Sequence, residues 1–176
     1  TFLLSQVKVL GIPNIESFTK KDYKAGTSNW SIVSMNNGNI LVANNSGFLD
    51  YNGVKWNLKT LPNRSIARSI CLAESGRIYV GGQDEIGYYM ADSIGNLRFK
   101  SIRQQIPSIH LPLEDLWECR AIGNKVCFRS TNKVFIYEES IGFEVIDPKG
   151  TIISIDDING SFYYTCLLYT SPSPRD

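Results

Sequence analysis

The stretch that decides the fold is Gly38-Asn39-Ile40-Leu41-Val42-Ala43-Asn44, because the chain repeats it. It returns as Gly76-Arg77-Ile78-Tyr79-Val80-Gly81-Gly82, then more loosely as Asn124-Lys125-Val126-Cys127-Phe128-Arg129 and Gly160-Ser161-Phe162-Tyr163-Tyr164. Strand-rich repeats of about 40–50 residues are typical of propeller blades, and a closed propeller has about four to eight of them. The sequence therefore predicts an all-β, incomplete β-propeller, with three four-stranded antiparallel blades and part of a fourth in an open arc.

The pattern of apolar residues between the turns supports strands. Ile40–Val42 and Ile78–Val80 are apolar on both faces, which predicts inner strands packed between neighbouring sheets. Val54, Trp56 and Leu58 alternate with polar residues, so we expect Trp56 to lie in a strand with its ring buried between blades. Asn and Gly recur between these segments, and both tolerate the positive φ that tight hairpins require.

The repeat divides the chain into blades at about residues 28–62, 66–106, 114–147 and 151–165. Residues 1–27 form an N-terminal segment with a strand expected near Ile15–Phe18. Its first residues, Thr1–Gln6, have the apolar character of either a signal-peptide stump or an ordinary strand. A short helical turn is expected around Arg103–Gln105, in the link between the second and third blades.

The end of the chain reads differently from the blades. Residues 166–176 are Cys-Leu-Leu-Tyr-Thr-Ser-Pro-Ser-Pro-Arg-Asp, a string that resembles a sequencing-library adapter translated in frame. We therefore expect these residues not to be native and the natural sequence to be interrupted after residue 165. The alternative is a Ser/Pro tail. An adapter-derived tail would make few contacts or merely continue the preceding strand.

Composition excludes several functions. Lys and Arg number 18 against 17 Asp and Glu, so the formal net charge of +1 gives no reason to expect a nucleic-acid partner. Outside the tail the cysteines are Cys71, Cys119 and Cys127, and this odd number argues against a disulfide framework. Cys71 and Cys127 lie in apolar strands, where we expect buried free thiols. With one histidine, we predict no metal site and no cofactor.

The amino-acid sequence within the blades resembles that of a known family. The relevant runs are Gly47-Phe48-Leu49-Asp50-Tyr51-Asn52-Gly53-Val54-Lys55-Trp56, the stretch Gly76–Gly82, and Glu114-Asp115-Leu116-Trp117. Together they resemble the two-component regulator propeller family, the periplasmic sensor halves of bacterial receptors. The similarity is greatest to members that end in a triple-tyrosine domain, a membrane helix and a kinase or helix-turn-helix output. It covers most of residues 10–165, with the third blade the most divergent.

This resemblance implies a sensor that is not itself an enzyme. Its expected partners are a small extracellular ligand, with carbohydrate the family-level expectation, and the remainder of its own propeller. The full receptor would be a homodimer in the inner membrane, and ligand binding would bias it between two output states. The resemblance does not assign ligand-binding residues.

The chain offers few residues for catalysis. Asp84-Glu85 and Asp156-Asp157 are adjacent carboxylates, but neighbours in a strand point to opposite faces, so we interpret them as turn or edge residues. His110 has no nucleophile motif beside it and is interpreted as a surface loop residue. Gly81-Gly82 is interpreted as a tight turn, because no Gly-Lys-Ser/Thr follows it as in a phosphate loop. No catalytic or metal-binding residue is therefore predicted.

Two other functions remain open. One is a propeller-fold carbohydrate-active enzyme, a hydrolase or a lyase, although no blade carries the Ser-x-Asp-x-Gly-x-Thr-Trp turn of sialidases. In such an enzyme Trp30, Trp56 or Trp117 could stack on sugar rings, whereas their repeat positions favour core packing. The other is a WD-repeat scaffold, which would place Trp-Asp at strand ends, while each Trp here precedes Ser, Asn or Glu.

Overall fold

The computed structural model describes Gly11 and residues 15–167, which are almost entirely β. One turn of helix, α1 (Lys20–Tyr23), precedes the strands, and 3-10 turns at Arg103–Gln105 and Ser108–His110 lie between the second and third sheets. The first sheet contains β1 (Asn29–Ser34), β2 (Ile40–Asn44), β3 (Gly47–Tyr51) and β4 (Trp56–Lys59), and the second contains β5 (Ala67–Leu72), β6 (Ile78–Gly82), β7 (Ile86–Ala91) and β8 (Leu97–Ser101). The third contains β9 (Glu118–Ile122), β10 (Lys125–Arg129), β11 (Val134–Glu138) and β12 (Gly142–Ile146), and the fourth contains β13 (Thr151–Ile158) and β14 (Ser161–Leu167).

The four sheets are the blades of an open propeller arc. Within each sheet the strands pair antiparallel in sequence order. Contacts between successive sheets run through their first strands, from β1 to β5, from β5 to β9 and from β9 to β13. These first strands are therefore the inner strands of the arc. The predicted fold class, three four-stranded blades and part of a fourth, is confirmed.

The core lies between the blades, and the second strand of each of the first three blades supplies it on both faces. In β6, Ile78 and Val80 pack towards the first blade, while Tyr79 packs towards the third. In β2, Leu41 packs towards the second blade and Val42 packs on the opposite face. The prediction that these apolar strands are buried on both sides is confirmed, because each has a sheet or a chain segment on either side.

The N-terminal segment differs from the expectation. Ile15–Phe18 has no strand, and the chain turns into α1 directly afterwards. Thr19 begins this helix, since its backbone N and its Oγ1 donate to Asp22 Oδ2 at 2.6 and 2.7 Å, a capping arrangement that ends any extended run. Thr1–Gln6 lies outside the described residues.

The prediction that Val54, Trp56 and Leu58 form one buried face of a strand is wrong. Asn52 Oδ1 accepts hydrogen bonds from the backbone of Val54 and Lys55, which folds this stretch into a turn and leaves Val54 87% exposed. Strand β4 begins only at Trp56, and Leu58 is 39% exposed. The half-buried Trp56 ring is not packed between blades.

Trp56 instead packs on the outer face of the first blade. Its ring stacks on Tyr51 at 4.6 Å and meets Phe18 and Tyr23 edge-on at 5.3 and 6.0 Å between ring centroids. The N-terminal segment therefore takes the place that we expected a neighbouring blade to fill.

The expectation about cysteines is wrong for one pair. Cys71 of β5 and Cys119 of β9 form a disulfide, with their Cα atoms 5.6 Å apart. The two inner strands run side by side, which brings together residues that are 48 positions apart in sequence. Cys127 is free and buried, as expected. The odd number of cysteines misled the prediction because one of the three stays unpaired in the core.

Gly81 and Gly82 end strand β6 and do not form the tight turn that we expected. A Cβ atom on Gly81 would lie 2.6 Å from Ser69 Oγ, and one on Gly82 would lie 2.7 Å from Leu61 Cδ1. The two glycines therefore allow neighbouring chain segments to approach the end of β6 closely. The helical turn expected at Arg103–Gln105 is confirmed.

The last described strand crosses the start of the adapter-like string. Strand β14 runs through Cys166 and Leu167, which pair with Ile152 and Thr151 of β13. The strand simply continues here, one of the two outcomes expected of such a tail. Residues 168–176, the rest of the string, lie outside the described residues.

Candidate functional site

The inner strands share an irregularity at their beginning. The register shifts between Asn29 and Ser31 in β1, between Ala67 and Ser69 in β5, and between Ile152 and Ser154 in β13, which leaves Trp30, Arg68 and Ile153 as bulged residues. Trp117 occupies the same place before β9, since its N–H donates to Arg129 O at 2.8 Å while Glu118 pairs with that same residue. Bulges change the direction in which side chains point, and here one residue in each blade is displaced at the beginning of the inner strand.

Three of these residues touch one another. The Arg68 guanidinium carbon lies 4.2 Å from the ring centroid of Trp30 and 4.6 Å from that of Trp117. The two indole rings meet edge-on, with centroids 5.9 Å apart and planes at 69°. A guanidinium over an indole face is a favourable cation–π contact. The first three blades thus contribute one residue each to a continuous stack.

Asp115 completes the group. Arg68 Nε donates to Asp115 Oδ1 at 3.0 Å and Nη2 donates to Oδ2 at 3.3 Å, a two-point ion pair between the second blade and the entry to the third. The backbone beside it is fixed because Ser69 Oγ donates to Leu116 O at 2.8 Å. We call Trp30, Arg68, Asp115 and Trp117 the inner-strand cluster.

The inner-strand cluster is open to solvent on one side. Trp30 is 44% exposed, so the expectation that it packs in the core is wrong. Its Nε1 donates to Asn45 Oδ1 at 2.7 Å, which fixes the ring. The Arg68 and Asp115 side chains are only 11% and 20% exposed. Among the described residues Arg68 Nη1 has no hydrogen-bond partner. The cluster therefore presents an aromatic surface beside a free N–H donor and a carboxylate.

A second ion pair lies on the next blade. Arg129 Nε is 3.3 Å from Glu118 Oε2 without hydrogen-bond geometry, and Arg129 Nη1 donates to Ile152 O at 2.9 Å. Glu118 Oε2 also accepts the backbone N–H of Ile155 at 2.8 Å. These contacts tie the third blade to the fourth.

The second-blade carboxylates singled out in the sequence lie elsewhere. Asp84 accepts from Arg103 Nη2 and from the Leu113 N–H, both at 2.8 Å, and so holds the link between the second and third blades. Buried Glu85 accepts from Ser101 Oγ at 2.6 Å. Neither residue belongs to the inner-strand cluster.

The fourth-blade carboxylates and the histidine are likewise outside the cluster. Asp156 accepts from Ser154 Oγ and Asp157 from the Gly160 N–H, both at 3.0 Å. His110 ends a 3-10 turn. In the described part of the chain no group of three His, Cys, Asp or Glu residues is placed to hold a metal ion.

A separate cleft of about 390 Å³ lies on the outer face of the first blade. Aromatic and aliphatic side chains dominate its lining, and Trp30 belongs to both this cleft and the inner-strand cluster. The main residues of the lining are Phe18, Tyr23, Trp30, Ile32, Leu49 and Trp56. Ile32 is 68% exposed here, so this face of the sheet is not fully covered by the described residues.

The spacing of the sequence repeats contains a signal for the inner-strand cluster. Trp30 precedes Ile40 by ten residues and Arg68 precedes Ile78 by ten, while Trp117 precedes Val126 by nine. Aligning the repeats from their anchors places Trp30 and Arg68 at equivalent positions and Trp117 one residue later. Their mutual contact also depends on the lateral spacing of the blades, which the repeat does not reveal.

Comparisons with known proteins identify relatives by structure alone. No family model matches the chain, and no curated protein matches it. The extracellular domain of BT4673 from B. thetaiotaomicron, named as a hybrid two component system, is similar with a TM-score of 0.57, 16% identity, and coverage of 81% of this chain and 19% of that one. A catalytically inactive virginiamycin B lyase from Staphylococcus aureus, solved with quinupristin, gives a TM-score of 0.58 at 16% identity, with 85% and 57% covered.

These similarities show the fold. The chain spans about a fifth of the length of the sensor domain and somewhat more than half of the lyase. Extracellular sensor domains and lyases thus share the architecture described here. Within the described residues there is no helix of sufficient length and apolar character to span a membrane.

Proposed function

We propose that this chain is part of the extracytoplasmic, ligand-sensing propeller of a bacterial signal-transduction receptor or transmembrane transcriptional regulator. The observation that carries the proposal is the inner-strand cluster, where three blades converge on an exposed indole, a guanidinium with a free N–H and a carboxylate. The structural similarity to an extracellular sensor domain supports it. The Cys71–Cys119 disulfide adds support, because such bonds persist mainly in oxidising compartments outside the cytoplasm.

The chemistry of the cluster favours a neutral saccharide as ligand. The Arg68–Asp115 pair has no net charge, so it does not select strongly for an ion. Neighbouring hydroxyl groups of a sugar can donate to Asp115 and accept from Arg68 Nη1 at the same time. The apolar face of the ring would stack on the exposed surface of Trp30. A few convergent polar groups beside an aromatic wall are typical of small-molecule sites.

The position of the cluster suggests how binding is transmitted. Trp30, Arg68 and Trp117 come from three successive blades, so a ligand that contacts them favours one relative placement of these blades. Ligands shift the populations of states that they bind unequally. In the proposed receptor, a periplasmic propeller in a homodimer at the inner membrane would pass this shift to a kinase or helix-turn-helix output, with a triple-tyrosine domain between them.

The partly covered face of the first blade is proposed to pack against the remainder of the propeller. Its cleft is apolar, Ile32 is exposed on it, and the opposite face of the same sheet packs against the second blade. An apolar sheet face of this kind is normally covered by a neighbouring layer.

Binding to a glycan array tests the sensor proposal. The full chain is expected to retain a small set of neutral saccharides, and Trp30→Ala and Arg68→Ala are each expected to abolish that retention. Trp56→Ala is the matched control, since Trp56 lies outside the cluster and its loss should leave retention intact. Trp30 lines both sites, so Arg68→Ala is the variant that distinguishes them. Retention that survives Arg68→Ala and fails in Trp56→Ala would move the site to the cleft on the first blade. No retention of any neutral saccharide would refute the assignment of ligand class.

The second candidate is a propeller-fold lyase or hydrolase, and the similarity to virginiamycin B lyase is the observation that favours it. Asp115 would then be the carboxylate available at the cluster to accept a proton. Incubation with quinupristin, followed by chromatography and mass spectrometry, decides this point. Consumption of quinupristin by the chain and not by Asp115→Asn would establish a lyase, whereas unchanged quinupristin supports the sensor.

A further inference from the structure

A second cleft, which contains both polar and apolar side chains, lies between the second and third blades, at the opposite end of the inner strands. Arg68 stands at the start of β5, whereas this cleft is lined by the turn that follows β5 and by the turns after β9 and β11. Its volume is about 360 Å³, within the range of small-molecule sites. Both walls belong to described blades that pack on each other, so the walls do not depend on any further part of the propeller.

Arg77 is held in place inside this cleft. Its guanidinium carbon lies 4.7 Å from the ring centroid of Tyr88, and Nη1 donates to Glu139 Oε2 at 2.6 Å. The Arg77 side chain is 22% exposed, and its pKa is raised by the Glu139 carboxylate, so it stays charged at all relevant pH values. A guanidinium that is stacked on a ring has little rotamer freedom left to lose when it binds an anion.

Glu139 differs from its neighbour Glu138 in how firmly it is bound. Glu138 accepts from Asn124 Nδ2 at 2.7 Å and Ser140 Oγ at 3.2 Å, and Lys125 Nζ lies 3.8 Å away. Glu139 has Arg77 as its hydrogen-bond partner among the described residues, and its side chain is 56% exposed. An ion pair with one exposed member is worth little, so a competing carboxylate can displace Glu139 at low cost.

We infer that the cleft between the second and third blades binds the carboxylate of a small organic acid on Arg77, and that Glu139 fills this position when no ligand is bound. Arg77 supplies the fork that a carboxylate prefers. Ser75, Ser140 and Asn124 line the rest of the cleft, and the Ser75 hydroxyl, which makes no hydrogen bond among the described residues, can bond a further polar group of such a ligand. Glu139 is thus an internal competitor. This site is independent of the inner-strand cluster.

Nuclear magnetic resonance of the full chain tests this inference, with acetate as the probe and acetamide as its neutral counterpart at constant ionic strength. Acetate is expected to shift the Arg77 Nε–Hε and Ser140 amide resonances in a saturable way, and acetamide is expected to leave them unchanged. Arg77→Gln should abolish the shifts. Glu139→Gln should tighten acetate binding by about two- to fivefold, the factor that corresponds to an exposed ion pair.

The two variants are expected to change acetate affinity in opposite directions, which separates an effect on binding from a loss of folding. Glu139→Gln removes a half-exposed partner and should keep the wild-type spectrum, so it remains informative even if Arg77→Gln unfolds. Three results would overturn the inference: no saturable shift with acetate, equal shifts with acetamide, or acetate affinity that is unchanged or weaker in Glu139→Gln.

Discussion

Removal of the Cys71–Cys119 disulfide should lower stability by an amount that follows from its position. The bond closes a loop with a sequence separation of 48. Closing such a loop lowers the conformational entropy of the unfolded chain by about 14 cal/mol/K. This corresponds to a stabilisation of the folded state by about 4 kcal/mol at 25 °C. The double variant Cys71→Ser/Cys119→Ser should therefore unfold at a urea concentration about 2 M lower, if the denaturant slope is about 2 kcal/mol/M. Urea titration followed by near-UV circular dichroism measures this shift.

Two controls make the result interpretable. Dithiothreitol should lower the midpoint of the wild-type chain and of Cys127→Ala, but not that of the double variant. Thiol titration of the denatured, non-reduced chain should find two free thiols among the four cysteines, those of Cys127 and Cys166. Four free thiols, or a wild-type midpoint that dithiothreitol does not change, would refute the reasoning.

Three further predictions concern stability. Arg68→Ala removes a two-point ion pair and two stacking contacts and should cost about 2–4 kcal/mol in thermal unfolding, whereas Asp115→Asn, which keeps an acceptor, should cost less. Gly81→Ala should cost about 1–3 kcal/mol in urea titration, because its Cβ would lie within 2.8 Å of two side-chain atoms. Gly11→Ala, with nothing within 4 Å, should change stability by less than about 0.5 kcal/mol. Burial raises the pKa of the Cys127 thiol to about 12. The contribution of this shift to the free energy of unfolding is therefore complete below about pH 9 and is lost as pH rises towards 12. The fall in the free energy of unfolding over this pH range should be smaller in Cys127→Ala.

The blade architecture could be predicted because it rests on local signals. Most of the hairpins are marked by Asn or Gly at a position of positive φ, as at Gly38 and Gly76, and the second strands of the first two blades are apolar on both faces. These features need only a few neighbouring residues to be recognised. The repeat then multiplies one local pattern into the arc, so an error in one strand does not change the fold class.

The features that could not be predicted depend on how blades sit beside one another. Cys71 and Cys119 meet because β5 and β9 run side by side, a relation that neither strand reveals alone. In the sequence Arg68 is a polar residue near the start of an otherwise largely apolar strand, and only the bulge places it between two indole rings. At Val54 the alternation of a strand is interrupted because the Val54 backbone N–H donates to Asn52 Oδ1, a contact that an apolar pattern does not show.

The indole resonances of Trp30, Trp56 and Trp117 test the central claim most directly. The three Nε1–H signals of the full chain can be followed together during titration with a neutral saccharide that the array identifies. If the ligand binds the inner-strand cluster, the signals of Trp30 and Trp117 shift together, because both rings contact Arg68, while that of Trp56 stays in place. Trp30 also lines the cleft on the outer face of the first blade, so Trp117 and Trp56 are the signals that decide between the two sites. A shift of the Trp56 signal with that of Trp117 unchanged would contradict binding at the inner-strand cluster and place the ligand on the outer face of the first blade.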